Sequence, residues 1–231
     1  MKQAFWANPW FTIPVLVAIN VGLLLSLLVP AGVEILYFNS WREEPWSTFF
    51  RWVTRLGEAW PFLVIGLISL LWRYRIALLL TIGGLLIFST SQALKVAVSK
   101  DRPILFFANH NLQHHVVLVP GEWPHGGRTS FPSGHTMTAF GLFGLLALLT
   151  DRRRPLLSLA CAVAAVLVGV SRIFLVQHFL ADVLGGALLG LLLAGVVWAV
   201  DRRWLRHYAV LDRGLLRQKA SSTEDASAVA P

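Results

Sequence analysis

The sequence predicts an all-α, polytopic membrane protein built as a bundle of six transmembrane helices. Two observations carry this expectation. The chain is 56% hydrophobic and only 14% charged, against a charged share of about 25% in soluble domains, and its mean hydropathy is +0.64. It also holds six apolar stretches that reach or approach the roughly 20 residues needed to cross a hydrocarbon core of about 30 Å.

The first stretch, Phe11–Val29, follows MKQAFWANPWF. That start has no basic region leading to a small-residue cleavage site, so the stretch reads as a retained helix. Trp60–Trp72 is short, Ile76–Val98 is ample, and Ser133–Leu149 opens on a serine suited to cap a helix. Leu156–Val170 is again short, and Phe179–Val200 completes the set. Together these form one membrane domain, residues 1–201. Residues 202–231 follow as a tail, basic at first and then small and polar (SSTEDASAVAP), a composition expected to be disordered.

Charge follows the same plan. The net charge is +8, but Arg73, Arg75, Arg152, Arg153, Arg154, Arg202, Arg203, Arg206, Arg213, Arg217 and Lys219 fall on one side of an alternating six-span bundle that starts in the cytoplasm. This is the positive-inside pattern; it needs no nucleic-acid partner, and the basic tail is suited to attraction by anionic lipid. Trp6, Trp10, Trp60, Trp72, Trp198 and Trp204 fall at span ends, as an interfacial belt places them. The single cysteine, Cys161, lies mid-span in an Ala/Val run and reads as a small buried apolar residue.

The opposite side receives the unusual residues. In the connector before the second span, STFFRWVTRLGEAW places Phe49, Phe50, Trp52, Val53 and Leu56 on one helical face, opposite Arg51, Arg55 and Glu58. It reads as a segment lying along the membrane surface or as a packed connector. Three further clusters sit at span ends: KVAVSKDRP, with Lys95, Arg102 and Pro103; SFPSGHT, with Pro132, Ser133, Gly134 and His135; and SRIFLVQHFLAD, with Arg172, His178 and Asp182. Each has a plain explanation alone: a snorkelling lysine, a helix cap, first-turn residues at a helix N-terminus. Ionisable groups at membrane depth are costly, however, and several at one end of a bundle point to one site.

Their chemistry suits a phosphate. Lys95, Arg102 and Arg172 supply three cations, two of them guanidinium forks that grip oxygens in pairs. Ser133 and Gly134 add the N–H groups of a helix start, and glycine permits close approach. His178 and Asp182 are four residues apart, which on a helix lets the carboxylate accept a hydrogen bond from one ring nitrogen and leaves the other to attack phosphorus. His135, from another helix, is suited to protonate a leaving oxygen and then activate water. No metal or other cofactor is called for.

Read as K-x6-RP, PSGH and SR-x5-H-x3-D, these clusters resemble the motifs of the type 2 phosphatidic acid phosphatase superfamily, which includes vanadium-dependent haloperoxidases. The resemblance spans Lys95 to Asp182 with order and spacing intact. It implies a bacterial cytoplasmic-membrane lipid phosphatase with its active site facing the exterior. It further implies a phosphohistidine on His178, with His135 as acid and then base, and Lys95, Arg102, Ser133, Gly134 and Arg172 holding phosphate. The substrates implied are undecaprenyl pyrophosphate, phosphatidylglycerophosphate, phosphatidate or lipid A. Phosphotransfer between lipids uses the same residues; a binding or transport protein would need the cations but not the histidine pair. No obligate protein partner is expected. Outside the motifs, His110, His114, His115 and His125 share a loop without the carboxylate or cysteine that would complete a familiar metal set, and Glu122 and Arg128 form a charged rim before PSGH.

Overall fold

The computed structural model describes residues 8–150 and 153–216. Among these the regular structure is entirely helical: α1 (Pro9–Leu28), α2 (Val33–Tyr37), α3 (Trp46–Arg55), α4 (Trp60–Ser69), α5 (Tyr74–Val98), α6 (Pro103–Asn109), α7 (Gly134–Leu149), α8 (Pro155–Phe174) and α9 (Leu180–Val200). The six expected stretches coincide with α1, α4, α5, α7, α8 and α9 within a few residues.

Four are long and apolar enough to cross a membrane: α1, α8, α9 with its continuation to Leu205, and Tyr74–Asn109, which includes α5. The fifth stretch, expected to be short, is a full 20 residues. The short ones are α4, with 10 residues, and α7, with 16. At 1.5 Å per residue these reach about 15 and 24 Å. α7 is nonetheless the hub: α9, α8 and α5 all pack on it, and its middle is buried from Met137 to Leu145 with few interruptions.

Close packing at the hub is made by glycine. A Cβ on Gly186 of α9 would lie 2.6 Å from the Ser133 carbonyl oxygen, and one on Gly190 would lie 2.5 Å from that of Met137 and 2.9 Å from the Gly141 nitrogen. Lipid tails are as apolar as leucine, so helices in a membrane associate through such backbone approach. The consequence for the site is direct: Asp182, one turn before Gly186, lies beside the start of α7, where the Ser133 N–H donates to the Asp182 carbonyl at 3.0 Å. Gly190→Leu is expected to cost about 1–3 kcal/mol through overpacking. Gly195, with nothing within 4 Å of an added Cβ, should accept leucine without loss. Thermal unfolding of both variants in detergent checks the contrast.

The bundle has two distinct ends. At one, Arg75 at the start of α5 pairs with Asp201 at 2.7 Å and Asp212 at 2.8 Å, so residues 201–216 fold back against the bundle rather than leaving it at once. Asn8 there donates to the Ala147 carbonyl and to Ser158. The basic residues Arg73, Arg75, Arg153, Arg154, Arg202, Arg203 and Arg206 gather at this end. Trp6, Arg152, Arg217, Lys219 and the expected disordered segment lie outside the described residues. Trp10, Trp60, Trp72 and Trp204 are 45–61% exposed at helix ends, and Cys161 is buried among apolar neighbours. The opposite end collects the C-termini of α5 and α8 and the N-termini of α7 and α9. It is roofed by α2, α3, α6 and the loop from 110 to 133.

α3 is amphipathic, but its inward face differs from the expected one. Ser47, Phe50, Thr54 and Gly57 are buried, whereas Phe49 is 39% and Trp52 is 64% exposed. Two contacts set this orientation. Thr54 Oγ1 accepts a hydrogen bond from Arg172, and Gly57 abuts the backbone of His135, where any Cβ would collide at 2.7 Å. Trp52 is turned outward with Arg55 stacked on its ring at 4.3 Å.

Candidate active site

The eight residues singled out from the sequence converge at the roofed end. Lys95 is the last inward-facing residue of α5, and a Cβ on Gly134 would sit 3.4 Å from its Nζ. The ammonium therefore lies against the first turn of α7. Ser133 caps that turn, its Oγ 2.8 Å from Thr136 Oγ1 and accepting from the Thr136 N–H at 3.5 Å, while the N–H groups of Gly134 and His135 at the helix start have no intrahelical acceptor. Gly134 and His135 follow, both half-buried. Arg102 precedes Pro103 at the start of α6 and is buried; its Nε donates to Thr129 Oγ1 at 3.2 Å and Nη1 reaches Gln177 Oε1 at 3.4 Å. Arg172 lies in the last turn of α8. Its Nη1 donates to Thr54 Oγ1 at 2.6 Å, while its buried Nε has no partner.

His135 stands within electrostatic reach of Arg172, His178, Lys95 and His125, and Lys95 within reach of Arg102 and Arg172. Three cations and two imidazoles thus lie within electrostatic reach of one another at this end. Lys95, Gly134 and His135 also line a cavity of about 500 Å³ bounded by residues of α4, α5 and α7. Its lining mixes polar side chains, among them Lys95, His135, Glu58 and Gln92, with the apolar Phe62, Ile87 and Phe88.

His178 departs from its expected setting. It precedes α9 instead of lying on it, because the chain leaves α8 through Val176 in the left-handed region (φ 56°). The N–H groups of Gln177 and His178 both donate to the Arg172 carbonyl, at 2.9 and 3.2 Å. A β-branched residue pays of order 1–2 kcal/mol for that backbone, strain of the kind found at functional turns. The ring is 2% exposed. Its Nδ1 lies 3.8 Å from Asp182 Oδ2, too far for a hydrogen bond, and has no other partner. The expected His178–Asp182 hydrogen bond is therefore replaced by a near approach. Asp182 instead accepts from Lys100 Nζ at 2.7 Å, Ser130 Oγ at 2.5 Å and the Phe179 N–H at 3.1 Å. Lys100 and Ser130 were not singled out from the sequence, though one lies between Lys95 and Arg102 and the other two residues before Pro132.

Burial pushes the His178 imidazole down to about 4; the Asp182 carboxylate pulls upward, and Arg172 and Arg102 add to the downward push. Because the folded value lies below the ordinary 6.5, this group contributes stability above pH 6.5, and that contribution is lost as pH falls towards 4. His178 is thus neutral across the physiological range. ¹⁵N-histidine NMR in detergent should place its titration near pH 4, well separated from an ordinary imidazole.

The loop residues have separate settings. His114 and His115 stack on each other at 4.1 Å, His110 Nδ1 meets the Phe106 carbonyl at 2.8 Å, and His125 Nδ1 meets Gln177 Oε1 at 2.9 Å. Among the described residues no three His, Cys, Asp or Glu side chains are grouped to hold a metal ion. Arg128 pairs with Asp101 at 3.1 Å on the surface, and Glu122 lies within electrostatic reach of Arg172.

The chain is 42% identical to phosphatidylglycerophosphatase B of Bacillus subtilis over 86 residues, 34% of this chain and 42% of that protein. It is 33% identical to lipid phosphate phosphatase 2 of Arabidopsis thaliana over 124 residues, 45% of this chain and 43% of that protein. The matched region thus spans less than half the length of these relatives. Among solved structures, Aquifex aeolicus LpxE superposes with a TM-score of 0.60 at 24% identity, covering 71% of this chain and 92% of that one. The PAP2-type phosphatidylglycerolphosphate phosphatase of Bacillus subtilis gives 0.50 at 24% identity, covering 82% and 96%; these two likenesses speak for the fold. The family model described as PAP2 superfamily matches residues 73–206, more than half of the chain and a range that contains all eight candidate residues. The chain belongs to the PAP2 superfamily.

Proposed function

We propose that the protein is a lipid phosphate phosphatase of the bacterial cytoplasmic membrane, with six crossing helices and its site at the exterior face. The observation that carries this reading is that Lys95, Gly134 and His135 share a cavity with the apolar Phe62, Ile87 and Phe88, at the end of the bundle opposite the basic residues. The four long helices are supplemented in this reading by the shorter apolar α4 and α7. Under the positive-inside rule the basic end faces the cytoplasm and the cup of site residues faces out.

The chemistry assigned to the cup runs in two steps. His178 Nε2 attacks phosphorus while the bond to the lipid oxygen breaks, and protonated His135 supplies that oxygen's proton. The product is a phosphohistidine whose ring carries positive charge near Asp182. His135 then takes a proton from water, the water oxygen bonds to phosphorus, and the P–N bond breaks to give inorganic phosphate and neutral His178. Lys95, Arg102, Arg172 and the start of α7 stabilise the charge on the non-bridging oxygens throughout, the largest contribution expected in phosphoryl transfer.

The substrate panel is the one the motif resemblance implies, phosphatidylglycerophosphate, lipid A, phosphatidate and undecaprenyl pyrophosphate, and the first of these is supported by the name of a relative. Detergent-purified protein should release inorganic phosphate from at least one of them. Release from none, or transfer of the phosphoryl group only to a lipid acceptor, would overturn hydrolysis.

A further inference from the structure

Asp182 raises a question that the proposed chemistry leaves open. It is fully buried, and a carboxylate there needs a counter-charge or it takes up a proton. His178 does not provide one: it is neutral before reaction, and its Nδ1 stands 3.8 Å away. The cation that does reach is Lys100, whose Nζ donates to Oδ1 at 2.7 Å. Oδ2, the oxygen nearest the imidazole, is held by the Ser130 hydroxyl at 2.5 Å and the Phe179 N–H at 3.1 Å.

The two side chains are fixed relative to each other. The Ser130 N–H donates to the Lys100 carbonyl at 3.0 Å, and the Arg102 N–H to the Gly127 carbonyl at 2.9 Å, so segments 100–102 and 127–130 run side by side. Lys100 also lies 5.0 Å over the Phe179 ring, next to His178 in the chain. Its side chain is 37% exposed while that of Asp182 is 0%. A cation at the rim therefore neutralises a carboxylate in the interior.

We propose that Lys100, held by Ser130, is a positioning residue that keeps Asp182 ionised beside a neutral His178. The nucleophile and the anion that receives its later positive charge then coexist before phosphate arrives. The reason is competition for one proton. Without Lys100, the full charge of Asp182 would be directed at His178 and would favour the imidazolium, which has no lone pair with which to attack. With Lys100 in place the carboxylate is satisfied at Oδ1. The ring's Nδ1–H draws to Oδ2 only when phosphorylation has made it cationic and the hydrogen bond charge-assisted.

The charged and titratable groups facing His178 are Asp182 from α9, Arg172 from α8, Arg102 at the start of α6 and His135 from α7. Lys100 reaches the pair through Asp182, and Glu34 from α2 accepts the Leu180 N–H at the start of α9. Of the cations, Lys100 is the one hydrogen-bonded to the carboxylate.

This inference rests on the phosphatase reading, and its test separates the two. In Lys100→Met, ¹⁵N-histidine NMR should show His178 titrating about one pH unit higher than in the native protein, with Lys100→Arg close to native. On a substrate from the panel, Lys100→Met should lower kcat about tenfold or more with KM within about threefold, and move the acid limb of kcat to higher pH; Lys100→Arg should restore both. An unchanged His178 titration overturns the proposal, as does a loss of kcat with an unmoved acid limb. If no lipid phosphate is hydrolysed by the native protein, the phosphatase reading fails while the NMR titration still decides the role of Lys100. Should Lys100→Met fail to purify as a monodisperse protein, Ser130→Ala, which frees Oδ2 towards the ring, should raise the His178 titration in the same direction. A lowered or native value there would count against the proposal.

Discussion

His178→Asn is expected to abolish phosphate release, lowering kcat by at least about 10⁴-fold, the scale on which loss of a covalent nucleophile is felt. The imidazole is the one group in the cup that combines burial, neutrality at physiological pH and an approach to a carboxylate. Its backbone contributes separately, because the His178 N–H that closes the α8 turn on the Arg172 carbonyl is kept by asparagine. The variant should therefore fold, and it should still bind phosphate through the cations. Steady-state phosphate release alongside inhibitor binding checks both halves. A variant within tenfold of native activity would mean that another group attacks phosphorus.

The second large effect is expected at Arg172. Arg172→Lys keeps the charge but should lower kcat by about 10²–10³-fold, the usual cost of a lost transition-state donor. The structure gives the reason. Arg172 is 5% exposed, and one arm of its guanidinium is committed to Thr54 while its Nε is buried with no acceptor. An unsatisfied buried donor costs about 1–3 kcal/mol, a cost that an arriving phosphate oxygen would offset. Lysine has no second arm with which to keep the Thr54 contact and reach the ligand together. Phosphate release with vanadate inhibition as a binding probe measures the loss, and native activity in Arg172→Lys would show that charge alone suffices.

The membrane helices were legible because their signal is composition over a long window, and α1, α5, α8 and α9 begin and end within a few residues of the apolar runs. The site was legible as chemistry: three cations, a capped glycine turn and two histidines suit one ligand class wherever the fold places them. What was not legible depended on the path of the backbone. His178 and Asp182 were expected on one helical face. Nothing in Leu175-Val176-Gln177 announces a left-handed turn, a conformation for which valine is poorly suited. That turn takes His178 off the helix and leaves Asp182 to other donors. Lys100 and Ser130 were missed for a related reason. Each reads as an ordinary polar residue in a loop, and only the side-by-side run of segments 100–102 and 127–130 delivers both to Asp182. Thr54 belongs with them: its neighbours Phe49 and Trp52 dominate the apolar pattern, but the face of α3 that turns inward is set by a hydrogen bond to Arg172 and a close backbone approach at Gly57.

The most direct measurement is to quench the purified protein during turnover of a ³²P-labelled lipid phosphate and map the labelled peptide. An acid-labile, base-stable phosphoryl group on the peptide containing His178 is the predicted result. Label on a different residue, or single-turnover kinetics that leave no room for a phosphorylated protein, would contradict the mechanism.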